Sequence, residues 1–307
     1  MTTFSIVIPC FNCEETLTET ITSLQAQTVS NWEAICVDDG STDQTLALLE
    51  GLAEQDRRIR VVQQSNAGPS RARNNGVSIA KGKYVSFLDS DDLWMPEKLA
   101  SVEAAFLSVP NADAVFGRIA FFRDGEDVDS TTSTVRAGKA DMTDFIGENP
   151  VCTLSNLTVR REAFLVLGGF DESMRFSEDL EWLIRAVAAD VHLEGVVDLH
   201  VRYRTSENGL SADLRAMHEG WRRALSSARR VLTPAQIASA EAVHLRYLAR
   251  RALRTGASSS EACALMLNGL LLSPIAFLGG RHRGPMTLVG CLLAPLLPTA
   301  FRRRIFA

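Results

Sequence analysis

Tyr84-Val-Ser-Phe-Leu-Asp-Ser-Asp-Asp92 is the stretch that decides the fold: five residues of a buried strand run straight into Asp89, Asp91 and Asp92. Upstream, Trp32 to Val37 repeats the design and ends at Asp38-Asp39-Gly40. Phe4 to Ile8, which Pro9 is expected to stop, and Ile59 to Val62 are further short apolar runs. Between them lie helical patterns: Glu14 to Gln27 on Leu17, Ile21 and Leu24; a segment after Ser41-Thr42-Asp43 on Leu46, Leu48, Leu49 and Leu52; and Ser70 to Ala80. Near-continuous apolar strands alternating with helices predict an α/β fold with a mainly parallel sheet covered on both faces. Ligands of such sheets bind beyond the carboxyl ends of the strands. One rim therefore collects five carboxylates.

Further along, Ala112 to Phe122 and Ser155 to Val159 read as strands, Arg161 to Leu167 as a short helix, and Val191 to Tyr203 as extended chain or a hairpin. Arg123 to Ala140 is polar and turn-rich, as a mobile loop would be. Ser177 to Ala189 is a strong helix with Leu180, Leu183, Ile184 and Val187 on one face and Arg185 opposite.

Composition narrows the class. Of 307 residues, 46% are hydrophobic and 22% charged, too apolar for a disordered chain. The start has no basic n-region, and its apolar run is short, unlike a signal peptide, so the N-terminus is expected in the cytosol. Six scattered cysteines suit a reducing compartment; Cys10 and Cys13 form a CxxC with no second ligand pair, which reads as two incidental thiols after a buried strand. The net charge of −5 conceals an asymmetry. From Ser211 onward 14 arginines and no lysine face 4 acids, a balance of +10, whereas the preceding residues hold 18 basic and 33 acidic side chains, a balance of −15. The arginine-rich end lacks aromatic stacking platforms and nucleic-acid motifs, which argues against nucleic acid and for an anionic membrane surface.

Several residue groups suit chemistry. Asp89-Ser90-Asp91 at a strand end can hold a hard divalent cation through oxygen ligands while leaving positions for a diphosphate; a helix N-cap cluster ahead of Pro96 is the structural alternative. Asp38 and Asp39 can accept from a base or ribose, or serve an Asx turn before Gly40. Glu178-Asp179 opens a helix, where acids are favoured anyway, and Asp179 is a candidate general base. Arg71 and Arg73 suit a phosphate or a base edge, or a salt bridge to a strand-end acid. The five histidines show no paired ligand spacing, and His200 reads as a strand surface residue.

Taken in order, Ile6-Val-Ile-Pro-Cys-Phe-Asn12 with Glu14, Val37-Asp-Asp-Gly-Ser-Thr-Asp43, Asn66-Ala-Gly with Ala72-Arg-Asn74, Tyr84 to Asp92, Gly168-Gly-Phe-Asp171 and Glu178-Asp179 resemble glycosyltransferase family 2 over about residues 4–205. The resemblance implies a GT-A fold, an inverting mechanism, a nucleotide-sugar donor (a UDP-sugar is expected) and Mn²⁺ or Mg²⁺. Carried over by position, it implies that Pro9, Phe11 and Asp39 line a nucleoside pocket that Glu14 helps to order. It sets Arg71 beside the base, Asp89 near ribose and metal, Asp91 as the direct metal ligand and Asp179 as catalytic base. The acceptor would be a glycan or lipid-linked hydroxyl in cell-surface polysaccharide synthesis. Two departures stand out: Phe11 replaces the more usual tyrosine, leaving only stacking, and Tyr203 to Ser211 lacks the histidine often found after Tyr-Arg. A sugar nucleotidyltransferase would want a glycine-rich, arginine-bearing loop where Pro9-Cys-Phe-Asn12 stands. A catalytically silent nucleotide-sugar-binding or scaffold protein is the alternative from another class.

The expected organisation is a catalytic domain over 1–210 and an all-helical appendage over 211–307. Leu214 to Val231, Pro234 to Arg254, Ala262–Gly280 and Gly284–Phe301 read as helices. The last two approach the ~20 apolar residues of a membrane span. Asn268, Gly269, Ser273 and Pro274 interrupt one, and Pro285, Pro295 and Pro298 the other. A two-span hairpin would also carry Arg281-His-Arg283 across the bilayer against the positive-inside bias. The expectation is therefore helices lying at the cytoplasmic, inner membrane face, with Arg281, Arg283 and Arg302-Arg303-Arg304 near anionic headgroups. The alternatives are packing on the catalytic domain or a homo-oligomer through these helices.

Overall fold

The computed structural model describes residues 2–124, 131–205, 213–255, 257–280, 282–298 and 302. They form two compact units: Met1–Ala140 with Pro150–Thr205, and Asp141–Asn149 with Ser206–Ala307.

The first unit is built on a sheet of ten strands. In chain order its elements are β1 (Phe4–Cys10), α1 (Leu17–Gln25), β2 (Trp32–Asp38), α2 (Thr45–Gln55), β3 (Ile59–Gln63), α3 (Pro69–Ser78), β4 (Tyr84–Phe87), β5 (Leu93–Trp94), α4 (Lys98–Ser108), β6 (Ala114–Phe122), β7 (Thr131–Thr132) and β8 (Gly138–Lys139). After α5 (Met142–Gly147), which belongs to the second unit, come β9 (Thr158–Arg160), α6 (Arg161–Leu167), α7 (Glu178–Ala188) and β10 (Leu193–Arg204). The main path runs β3-β2-β1-β4-β9-β6-β10-β5. Its first four strands are parallel, as the apolar runs predict. Past β4 the sheet is mixed: β9 is antiparallel to both β4 and β6, while β6 and β10 are parallel.

Pro9 does not stop β1, which continues to Cys10. The β1–β4 ladder ends at Val7, so a residue without an N–H interrupts nothing on that side, while pairing with β2 continues through Pro9. The predicted strand at Ser155 begins instead as a 3₁₀ turn, Leu154–Asn156, because Thr153 accepts from the Ser155 N–H and closes it. The stretch read as a loop, 123–140, contributes β7 and β8 to the sheet; residues 125–130 within it lie outside the described residues. Phe4, Ile6, Ile8, Leu17, Ile21 and Leu24 are fully buried in the core beneath β1 and α1.

The second unit holds α5, α8 (Leu214–Ala224), α9 (Pro234–Thr255), α10 (Ser259–Leu272), α11 (Pro274–Leu278) and α12 (Arg283–Leu293). Its core gathers Leu248, Ala252, Leu253, Met266, Phe277 and Cys291. The break between α10 and α11 is local chemistry: Ser273 caps the new helix by accepting from the Ala276 N–H, and Pro274 takes its first position. Among the described residues, no helix is long and apolar enough to cross a membrane.

Candidate active site

The strand-end acids sit at one rim of the first unit, and α3 is what organises them. Gly68 caps α3 with φ +91°, a left-handed conformation that a side chain strains. Its N–H and that of Ala67 donate to Asp39 at 2.8 Å each, and Gln64 adds a third bond at 2.7 Å. Asp39 is thus buried and ties the end of β2 to the start of α3. Two turns later the helix presses close on β1, where a Cβ on Gly76 would lie 2.4 Å from Val7.

That close approach delivers Arg73 into the acid cluster. Its buried guanidinium bonds Asp89 at 2.6 Å and Glu178 at 3.1 Å, joining the end of β4 to the start of α7. Asn74 beside it bonds both the N–H and the carbonyl of Phe170, at 2.9 Å each, fixing the Gly168–Asp171 turn ahead of α7. Ser177, the residue before Glu178, sits at φ +60°, so the entry to α7 is itself strained. Arg71 takes no part in this bridge: it is half-exposed and lies 3.8 Å from Glu172. Of the two arginines, Arg73 makes the strand-end salt bridge. The sequence reading offered both arginines for a phosphate, a base edge or a strand-end salt bridge and carried only Arg71 into the nucleoside pocket; it gave Asn74 no role.

Asp92 is fully buried, accepting from Ser155 at 2.6 Å and from the Arg204 N–H at 3.0 Å. Arg204, also buried, bonds the Asp91 carbonyl at 2.8 Å and Glu19 at 2.6 Å and pairs with Asp124. The cluster carries more carboxylates than these cations neutralise. Burial, then the charge of Asp89, pushes the Asp91 carboxyl up to about 6. Burial, then Glu178, pushes Asp179 up to about 7, although Arg73 works the other way. Asp92 rises well above the usual carboxylate range for the same reasons, burial first and Asp91 next. The charge of Asp89 thus reaches both Asp91 and Asp179.

Phe11 is 48% exposed, open for stacking, and Pro9 is half-buried at the strand end behind it. The loop between β1 and α1 is pinned to the one after β2: Asn12, at φ +47°, accepts from the Thr42 N–H at 2.8 Å, and Glu14 accepts from the Gln44 N–H at 2.7 Å. His200 is no surface residue. It is fully buried and shares a 2.9 Å hydrogen bond with Ser101, and burial followed by the Lys98 charge lowers its pKa to about 3. The Ser206–Ser211 part of the segment after Tyr203 lies outside the described residues.

Against known proteins, residues 5–168 match the model for glycosyl transferase family 2. The chain belongs to that family. It is 46% identical over 88 residues to the uncharacterized glycosyltransferase EpsJ of Bacillus subtilis, a stretch covering 29% of this chain and 26% of that protein. The match thus spans about a quarter of that relative's length. In fold, the chain resembles residues 1–349 of Staphylococcus aureus TarS, solved with UDP-GlcNAc, at a TM-score of 0.64 and 20% identity over 94% of this chain and 90% of that one. It likewise resembles the mannosyltransferase PcManGT of Pyrobaculum calidifontis, solved with GDP-Man and Mn²⁺, at 0.62 and 17% identity over 99% and 83%. The fold is that of GT-A glycosyltransferases.

The residues present fit a divalent cation of a particular kind. The Asp91 carboxylate, half-buried at the rim, accepts no hydrogen bond from another of the described residues, while Asp89 is committed to Arg73 and Thr153. No group of three or more His, Cys, Asp or Glu among the described residues could hold a metal by itself. One or two carboxylates, with water and donor phosphates completing the shell, is how Mg²⁺ is usually bound in phosphate chemistry.

Proposed function

We propose that this chain is an inverting glycosyltransferase that moves a sugar from a nucleotide diphosphate, a UDP-sugar, onto a hydroxyl of a glycan or lipid-linked acceptor. The observation that carries the reading is the Arg73 bridge, which brings the Asp89–Asp91 strand end and the Glu178–Asp179 helix start to one cluster. Phe11 supplies a stacking face for the base, beside Pro9. Asp39, through its bonds to the loop before α3, shapes the wall of that pocket, and Glu14 does the same for the 41–44 turn. Arg71, half-exposed, is available to the base edge.

Asp91, with Asp89, would hold Mn²⁺ or Mg²⁺, which when bound neutralises charge developing on the departing diphosphate. Asp179 takes the acceptor proton as the hydroxyl attacks the anomeric carbon from the face opposite the leaving group. A base with a pKa near neutrality is suited to that transfer. TarS was solved with UDP-GlcNAc and PcManGT with GDP-Man and Mn²⁺, which supports a nucleotide-sugar donor and a divalent ion here. The test is transfer and donor hydrolysis across a panel of UDP- and GDP-sugars, with and without Mn²⁺. Turnover that needs both donor and metal is expected; turnover indifferent to metal would refute the metal assignment, and none with any donor would refute the activity.

The helical unit is proposed to lie on the cytoplasmic surface of an anionic membrane. Supporting this are the +10 balance of residues 211–307 and a run of exposed apolar side chains: Leu267, Leu271 and Ile275 on α10 and α11, and Met286, Leu292 and Leu296 from α12 onward. Of the arginines expected at headgroups, Arg281, Arg303 and Arg304 lie outside the described residues. Arg302 is instead buried, donating to the Ala257 carbonyl, and Arg283 remains half-exposed.

A further inference from the structure

On α9, Arg246, Arg250 and Arg254 stand at i, i+4 and i+8, so three guanidiniums stack along one helical face. Like charges at this spacing repel and call for counter-charge. The carboxylate that faces them is Glu148, whose bonds go to other arginines: it pairs with Arg246 at 3.0 Å and with Arg283 of α12 at 2.6 Å. Arg246 is satisfied further by the carbonyls of Ala276, Phe277 and Gly279, where it closes the carboxyl end of α11. Arg250 and Arg254 feel Glu148 as a charge but make no bond to it. Both are half-buried, and among the described residues neither has an ion pair or a hydrogen-bonding side-chain partner. Burial depresses both; the charge of Arg254 adds to this at Arg250 and that of Arg251 at Arg254, with Arg283 adding to the field at each, while Glu148 opposes at both and Tyr247 at Arg254. A guanidinium held half out of water without an acceptor is costly, and a phosphate with several oxygens is the anion whose geometry relieves two or three at once.

Arg283 also continues an apolar stripe. Met286 and Leu293, both exposed, follow it at i+3 and i+10 on α12. Cationic and apolar groups thus share one helix face, the pairing expected of an anionic lipid and its acyl boundary rather than of a soluble anion alone.

We propose that Arg250, Arg254 and Arg283 form a seat for the phosphate of an anionic lipid headgroup, with Glu148 positioning Arg283 and the neighbouring apolar stripe meeting the acyl region. This rests on the membrane-surface reading above and adds a defined site to it.

The test is co-sedimentation of the intact chain with vesicles of phosphatidylglycerol in phosphatidylcholine, against phosphatidylcholine alone. The intact chain should pellet with the anionic vesicles. R250Q/R254Q should partition about 30-fold less, the loss expected for two surface arginines. R250K/R254K should recover much of it, because a lysine keeps the charge. Since R250Q/R254Q removes like-charge repulsion along α9, its melting temperature should not fall, which separates lost binding from lost fold. Leu271→Ser with Ile275→Ser should weaken partitioning independently. If the intact chain pellets and R250Q/R254Q pellets equally, the seat is wrong while the membrane reading survives. Failure of the intact chain to pellet overturns both. Titration with inorganic phosphate is the second arm: saturable binding that R250Q/R254Q abolishes, without any vesicle binding, would assign the seat to a soluble anion and refute the lipid. Self-association that the Leu271→Ser/Ile275→Ser pair abolishes, with no vesicle binding, would assign the exposed apolar surface of α10 and α11 to a second copy and overturn the lipid.

Discussion

At the scale of single residues, Asp91 and Asp179 both feel the charge of Asp89 but are proposed to do different work. Asp179→Asn should cut transfer by roughly 10²–10⁴-fold while leaving donor affinity near that of the parent, because general-base catalysis contributes to the transition state and little to donor binding. Single-turnover kinetics beside donor calorimetry would check both halves. The same residue sets the pH profile. Burial and Glu178 raise Asp179 to about 7, so its basic form is lost as pH falls through that value. The rate should climb about tenfold per pH unit below 7 and flatten above it; a profile flat down to the ordinary carboxylate range would contradict the assignment. Asp91→Ala should remove the metal dependence of donor binding, read by calorimetry with and without Mn²⁺. Arg73 holds position rather than reacting. Arg73→Met leaves Asp89 and Glu178 facing each other without their shared cation, at a cost of about 3–5 kcal/mol in a denaturant melt. An unchanged midpoint would show that the bridge contributes nothing.

At the scale of elements, the helical unit carries a pH response of its own. His218, Trp221 and His244 stack, with the Trp221 and His244 ring centroids 4.6 Å apart, and Glu241 lies 3.4 Å from His218. Burial, and then the neighbouring His218, holds His244 well below its usual value; burial likewise lowers His218, with Glu241 and Glu219 opposing and Arg222 reinforcing. The unfolded chain therefore binds more protons than the folded one below the ordinary histidine pKa near 6.5. Stability should fall as pH drops through that window, and His244→Gln should flatten the slope of melting temperature against pH. The elements also show what a sequence can reveal. β2 and β4 were legible because apolar strands running into acids mark both the strand and the rim that its end reaches. The choice between Arg71 and Arg73 was not, because α3 buries Ser70, Ala72, Arg73, Gly76 and Val77, a face with too few large apolar side chains to orient the helix. His200 was misjudged for a related reason. Register shifts between Gly195 and Val201 break the two-residue alternation of β10, so His200 and Val201 are both buried. The antiparallel insertion of β9 was hidden too, since apolar runs specify burial but not direction.

At the scale of the whole molecule, the charge asymmetry underlies both proposals: acids gather at a sheet rim, where a cation and a phosphate leaving group are proposed to sit, and arginines gather in the helical unit proposed to meet an anionic surface. Family membership and fold rest on the match over residues 5–168 and on the likeness to TarS and PcManGT. The donor and the ion are proposals drawn from the site's residues. The most direct measurement is thermal stabilisation and hydrolysis with a panel of nucleotide sugars and Mn²⁺, run in parallel on the parent chain, Asp91→Ala and Asp179→Asn. The account predicts that at least one UDP-sugar stabilises the parent only with metal and is turned over. Asp91→Ala should lose the metal-dependent shift, and Asp179→Asn should keep the shift and lose transfer to the acceptor. A metal-dependent shift without turnover in the parent would mark a silent binding protein, and equal shifts in the parent and Asp91→Ala would contradict the acid cluster as the donor's cation site.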